Sequence, residues 1–226
     1  LVEDALGMYT VDFGPTALLK CEEYGADLNR LDAVYITHLH GDHIGGIAML
    51  LVYLQFRLER RRPLVIAGPE GMEERLALLR ESAYPSVMQS GLDFPIEFVH
   101  WQIPGTIEVL GRKVTAIRAV HDRLAIASSL RVDTDDISLC FSGDTGWQDE
   151  LETLVDGADL FVCECSMVEA NYWGHLSLEE LLQYRERLNV GKLYLSHLSE
   201  AARSQASARE AQLKATIADD GLVITV

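Results

Sequence analysis

Apolar and polar positions along the chain follow two regimes. Up to about residue 95, short apolar runs alternate with stretches of helical period. Residues 8–12 read as a strand. Pro15 opens a helix through Leu18 to Tyr24, closed by Gly25 in a C-terminal capping position. Residues 33–37 form an apolar strand, 44–61 a helix, 64–67 a strand and 70–82 an amphipathic helix. From residue 96 to 141 the period becomes two, with turns at Gly111-Arg112 and at the acidic stretch 133–136. The remainder alternates again: helix 147–155, strand 160–165, helix 178–188, strand 193–196, helix 206–218 and strand 222–226. Two rounds of β followed by α predict an α/β (α+β) protein, two sheets packed together with helices outside, in a single domain over residues 1–226. The chain opens at Leu1 directly into a strand-like segment, so the first strand of the fold is expected to lie before it.

Composition narrows the picture. A chain of 226 residues with 48% hydrophobic and 24% charged positions suits one well-cored globular domain. The formal net charge of −16 argues against a basic face for polyanions, so no nucleic-acid polymer is expected as a partner. A small anionic substrate stays compatible, because bound divalent ions reverse the field locally. The one basic cluster, Arg57 with Arg60, Arg61 and Arg62, reads as the solvated end of a helix. Cys21, Cys140, Cys163 and Cys165 form no C-x-x-C pair and read as buried free thiols, which points to a reducing, cytoplasmic setting. The longest apolar run, residues 44–54, is too short to span a bilayer, and no signal-peptide pattern or membrane partner is expected.

The chemistry concentrates in Thr37-His38-Leu39-His40-Gly41-Asp42-His43. Three imidazoles and a carboxylate within six residues are poor core material, and they are the ligands that borderline divalent metals take. After a strand, His38 and His40 are expected on one side, with a turn at Gly41 aiming Asp42 and His43 elsewhere. His121 and His197 each follow a strand-like run, as does Asp144 in Ser142-Gly143-Asp144-Thr145. Strand ends are rigid supports for site residues.

These motifs resemble the metallo-β-lactamase superfamily along nearly the whole chain: H-x-H-x-D-H matches at 38–43, and His121, Asp144 and His197 follow in order. The resemblance implies an αββα sandwich of the metallo-β-lactamase fold, with two mixed sheets flanked by helices and the metals at one sheet edge. It further implies that His38, His40 and His121 hold one metal, that Asp42, His43 and His197 hold a second, and that Asp144 bridges both. Zinc is the default, with manganese or iron also compatible with such ligands.

Glu164 in Cys163-Glu164-Cys165-Ser166, His175 in Gly174-His175-Leu176-Ser177, and the stretch Ser196-His197-Leu198-Ser199 resemble the ribonuclease Z-like branch. That likeness implies a Glu164–His175 dyad beside the metals. Transfer-RNA-processing members of the branch carry an extended arm, whereas only residues 122–143 separate His121 from Asp144. The expectation is therefore a phosphodiesterase acting on a small anionic ester, with Asp42 orienting the nucleophile and His175 protonating the leaving group. A homodimer is implied by the resemblance. A sulfatase or carboxylic ester/thioester hydrolase with the same water nucleophile is the alternative, and a metabolite-binding accessory protein without catalysis a third. Tyr172 and Trp173 stand ready either to stack on a base or sugar or to anchor their loop. Ser128, Ser129 and Ser166 lack a base arrangement for nucleophilic catalysis, and His100 reads as a sheet residue.

Overall fold

The structure, a computed structural model, describes the backbone of residues 1–226 and all side chains except those of residues 88 and 89. The chain forms two compact units, Leu1–Trp101 and Gln102–Val226.

The first unit carries β1 (Val2–Asp4), β2 (Gly7–Val11), α1 (Ala17–Glu23), β3 (Leu31–Tyr35), α2 (Gly41–Ile44), α3 (Ile47–Phe56), β4 (Leu64–Gly68), α4 (Met72–Ala83), α5 (Pro85–Ser90) and β5 (Ile96–His100). Its sheet has the order β1-β2-β3-β4-β5. Only β1 and β2 pair antiparallel; the others run parallel. All five residues of β4 are buried, as a parallel strand covered on both faces requires. Val34 and Ile66 from the sheet share a core with Ile47, Leu50, Leu51 and Leu54 of α3 and with Met72 and Leu76 of α4.

The single helix expected over 44–61 is divided and shorter. Gly46 gives its N–H to Phe13 O at 3.0 Å instead of to its own helix, which separates α2 from α3. Glu59 then adopts a left-handed backbone (φ 50°), which a continuing helix excludes. The reversal turns Arg60 inward, so it is no solvated terminus. It is 3% exposed and donates to the carbonyls of Leu31, Arg62 and Pro63 at 2.9, 2.9 and 2.6 Å.

The second unit carries β6 (Gly105–Val109), β7 (Arg112–Arg118), β8 (Ser128–Asp133), β9 (Ser138–Phe141), α6 (Glu150–Val155), β10 (Ala158–Glu164), α7 (Leu178–Tyr184), β11 (Val190–Ser196), α8 (Glu200–Ser207), α9 (Glu210–Leu213) and β12 (Thr216–Ile217). Its sheet runs β12-β11-β10-β9-β8-β7-β6, antiparallel from β6 to β9 and parallel from β9 to β12. Strands β7, β9, β10 and β11 thus point the same way and end at one edge of the sheet. Cys163, Cys165 and Phe161 pack with Leu151 of α6 and Leu178 and Leu181 of α7. All four cysteines are free thiols, and burial pushes Cys140 and Cys165 up to about 12.

The C-terminal pattern departs from expectation. Ser199 caps α8 by accepting from Ala202 N at 3.2 Å, so helix begins at 200 rather than 206. Lys214 is left-handed (φ 48°) and ends α9, and the chain then pairs as β12 beside β11. Residues 222–226 form no strand; Leu222 and Val223 are exposed. No helix among the described residues is long and apolar enough to cross a membrane.

Candidate metal-ligating residues

In the first unit, β2 and β3 end side by side and deliver Asp12 and Thr37-His38 to the same sheet edge. Asp12 is itself left-handed (φ 58°), an uncommon backbone state that Asp tolerates better than most residues. This turns its carboxylate onto the histidine loop. Oδ1 accepts from Thr37 N at 2.8 Å, and Oδ2 accepts from Thr37 Oγ1 at 2.8 Å and from His43 Nδ1 at 2.6 Å. Since the Thr37 hydroxyl gives its proton to Asp12, its oxygen takes the one on His38 Nδ1, 3.1 Å away. Both imidazoles are thereby fixed with the proton on Nδ1 and the lone pair on Nε2, the state a metal ligand needs.

The loop itself is held by close backbone approach. A Cβ on Gly14 would lie 2.2 Å from Asp42 O, and one on Gly46 would lie 2.2 Å from Gly14 O. Only glycine lets the segment after β2 lie against the histidine loop. His40 caps α2, whose first turn carries Asp42. The His38 ring centroid lies 4.7 Å from that of His40 and 4.0 Å from that of His43, and Asp42 Oδ2 lies 3.5 Å from His43 Nε2. The ligand atoms nevertheless divide as the spacing suggested: His38 and His40 fall in one group within 4.8 Å, and Asp42 and His43 in another.

In the second unit, four strand ends supply the set. His121 follows β7, Asp144 follows β9, Glu164 ends β10 and His197 follows β11. His121 is buried and donates from Nδ1 to Gly174 O at 2.7 Å, which again leaves the lone pair on Nε2. Gly143 is left-handed (φ 56°) and turns the buried Asp144 inward. Asp144 Oδ2 lies 3.8 Å from His121 Nε2 and 3.7 Å from His197 Nε2. These separations are too long for hydrogen bonds, but they suit two atoms that each stand about 2 Å from a shared ion. Ligand atoms of His121, Asp144 and His175, and likewise of Glu164, His175 and His197, lie within 4.8 Å of one another.

Glu164 is 3% exposed and accepts four hydrogen bonds. Oε1 receives Thr145 N at 2.8 Å and His175 Nδ1 at 2.7 Å; Oε2 receives Ser166 N at 3.1 Å and Ser166 Oγ at 2.8 Å. A buried carboxylate so well supplied with donors holds its partners in place. Ser166 Oγ also lies 2.7 Å from His197 Nδ1. The Ser166 hydroxyl has two acceptors at 2.8 Å, Glu164 Oε2 and His197 O, so toward His197 Nδ1 it accepts, and the Nε2 lone pair of His197 is fixed in turn. His197 carries a positive φ of 52°, local strain of the kind held at functional positions.

The other motif residues have local tasks. Ser177 and Glu180 form a capping box that starts α7, and Met167 pairs with Ser177 as an isolated bridge. Leu176 between them is fully buried. This stitching presents His175 to Glu164. Pattern reading missed Asp12 and Ser166. A lone aspartate after a strand is no signal by itself, and a serine dismissed as a nucleophile serves here as a hydrogen-bond relay. His100 ends β5 with Nε2 3.6 Å from Glu73.

The histidine, aspartate and glutamate sets fit divalent metal chemistry: imidazole and carboxylate donors, with an acceptor beside Nδ1 of His38, His43, His121 and His197. Residues 11–198 match the model of the Beta-lactamase superfamily domain, and the chain belongs to that family. Its two mixed sheets with flanking helices are the metallo-β-lactamase α/β sandwich fold.

Among curated proteins, the chain is similar to Ribonuclease Z of Shouchella clausii, with 26% identity over 76% of this chain and 70% of that protein. Ribonuclease BN of Escherichia coli is 25% identical over 85% of this chain and 79% of its own. Among solved structures, the short form of human tRNase Z superposes with a TM-score of 0.76 at 20% identity, over 99% of this chain and 90% of that one. The fold protein YhfI from Bacillus subtilis gives 0.73 at 21% identity, over 95% and 86%. Relatives named as ribonucleases act on RNA, and this overturns the expectation that excluded nucleic-acid polymers. Net charge is a whole-chain average, whereas polyanion binding follows the local field, which bound divalent ions invert. The segment 122–143 holds β8 and β9 and the turns beside them, so the extended arm is absent there.

Proposed function

We propose that this protein is a two-metal phosphodiesterase acting on nucleotidyl phosphodiesters, RNA among them. The observation that carries the reading is the anchoring of His38, His43, His121 and His197 through Nδ1, which readies each Nε2 as a ligand. In this reading residues 1–226 work as one domain, as the family match across 11–198 supports. His38, His40 and His121 hold one divalent ion, Asp42, His43 and His197 hold the other, and Asp144 serves both. The near-equal separations of Asp144 Oδ2 from the two Nε2 atoms support that shared role. Zinc suits the donors best, with manganese or iron as substitutes.

A divalent pair held there would supply an activated water and would offset charge building on the phosphoryl oxygens. Asp42, exposed at the start of α2, orients the attacking water by accepting its hydrogen bond. The water oxygen adds to phosphorus as the bond to the leaving oxygen breaks. Glu164 keeps Nδ1 of His175 as a donor and stabilises the imidazolium, so His175 gives its Nε2 proton to the departing alkoxide. The water's proton passes through Asp42 to solvent.

The test is turnover of a phosphodiester, a sulfate ester and a thioester with matched leaving groups, beside a 3′-extended RNA. The proposal expects the phosphodiester to be preferred by more than 100-fold and the RNA to be cut, the size of a general-acid or charge-stabilising effect tuned to one acyl or phosphoryl geometry. A preference for sulfate or thioester, with the RNA intact, overturns it.

A further inference from the structure

The face of the second unit beside His175 carries large side chains that folding leaves uncovered. Tyr172 is 46% exposed and Trp173 45%. Scattered exposed apolar residues need no explanation, but these stand together. The Tyr172 ring lies 6.0 Å from that of Trp173 and 5.7 Å from that of His175. Arg123 places its guanidinium 5.0 Å from the Trp173 ring centroid, in cation–π range.

The platform is rigid. Trp173 O sits 2.0 Å from where a Cβ on Gly146 would stand, so the two backbones touch and side chains are excluded between them. The next residue, Gly174, gives its carbonyl to His121, and the one after, His175, is bound to Glu164. Tyr172 and Trp173 are therefore held in register with both His121 and the proposed general acid. The backbone that carries the two rings is thus in place before a ligand arrives, which lowers the ordering cost of binding. The Asp122 carboxylate accepts from Leu124 N at 2.8 Å, a turn that sets Arg123 over the indole.

We infer that Tyr172, Trp173 and Arg123 form a stacking subsite for the nucleobase of a nucleotidyl phosphodiester, with its phosphate toward His175. The inference rests on the phosphodiesterase reading and gives it a substrate class: a diester with a base next to the scissile phosphate. Every base presents a π-face, so the subsite tolerates sequence, and the guanidinium adds a cation where the rest of the chain is acidic.

Two diesters with one leaving group test it: thymidine 5′-(p-nitrophenyl phosphate) and ethyl p-nitrophenyl phosphate, with the metal-loaded protein and its Trp173→Ala and Tyr172→Ala variants. Stacking of one base predicts that the ratio of kcat/KM for the thymidine over the ethyl ester falls about 5- to 100-fold in each variant. Trp173→Phe, which keeps a ring, retains most of the ratio. An unchanged ratio, whether both rates hold or both fall together, overturns the subsite and makes the loop a structural anchor. If the native protein hydrolyses neither ester, the phosphodiesterase reading fails. The subsite is then judged by binding alone: thymidine 5′-monophosphate quenches native tryptophan fluorescence saturably and fails to do so in Trp173→Phe. Absence of saturable quenching in the native protein overturns it.

Discussion

Asp12 and His43 stand 31 positions apart in the chain, yet the Asp12 carboxylate accepts the His43 Nδ1 proton at 2.6 Å. The same oxygen takes the Thr37 hydroxyl, so one carboxylate orients His43 directly and His38 through Thr37. Such outer partners of histidine ligands typically carry 10- to 100-fold in metal affinity. Asp12→Asn keeps a residue that tolerates the left-handed backbone but removes the charge. It is expected to weaken zinc binding by about 10-fold or more, read by competition with a chromophoric chelator, while circular dichroism stays native. Unchanged affinity contradicts the positioning role.

The dyad of Glu164 and His175 makes a different prediction, on leaving groups. His175→Ala should slow an alkyl phosphodiester by about 100- to 10,000-fold, the usual worth of a general acid. A p-nitrophenyl ester, whose leaving group departs without a proton, should lose far less. Steady-state rates on the two esters decide it. Equal losses on both would point to a ligand or packing role for His175.

How much of this was legible beforehand depends on how local each signal is. His38, His40, Asp42 and His43 lie within six residues, and the period-two strands that deliver His121 and Asp144 are plain from their apolar alternation. Asp12 is invisible because its meaning comes only from β2 and β3 lying side by side. The helical span 44–61 is uniformly apolar in its first part, so the pattern gives no warning that Gly46 bonds to Phe13 rather than within a helix. At 222–226 the apolar residues have the composition of a strand but no strand to pair with, and pairing partners are not written locally. The expectation about nucleic acids failed because total charge says nothing about where charges sit.

The inward turn of Arg60 makes it a stability residue rather than a solvated helix terminus. Burial pushes its guanidinium down to about 10, still charged at neutral pH, and three carbonyls receive its protons. Removing the donors by Arg60→Met strands the carbonyls of Leu31 and Pro63. That should cost about 2–4 kcal/mol, the sum of two or three such bonds. Urea unfolding should show the lower midpoint with zinc affinity unaltered. A loss of unfolding free energy under ~0.5 kcal/mol contradicts it.

The buried thiols give a pH-dependent prediction. Cys140 and Cys165 are held near 12 by burial, and Cys163 is raised well above the ordinary thiol range for the same reason. Raised folded values mean neutral thiols in the native state. An unfolded chain ionises them above about 8.5, so their contribution to stability is complete below that pH and is lost as pH rises toward 12. Iodoacetamide at pH 8 should therefore leave these three cysteines unlabelled in the native protein and label all of them in urea. Mass spectrometry reads the result, and rapid native labelling at any of the three would contradict their burial.

The most direct test of the two-metal claim is metal content read beside activity. The protein is stripped with chelator and titrated with zinc while bound metal per chain and hydrolysis of bis(p-nitrophenyl) phosphate are measured together. The account predicts two tightly bound equivalents per chain, with activity lost on stripping and restored as the second equivalent is taken up. Saturation at one equivalent or none, or hydrolysis that survives stripping, would contradict it.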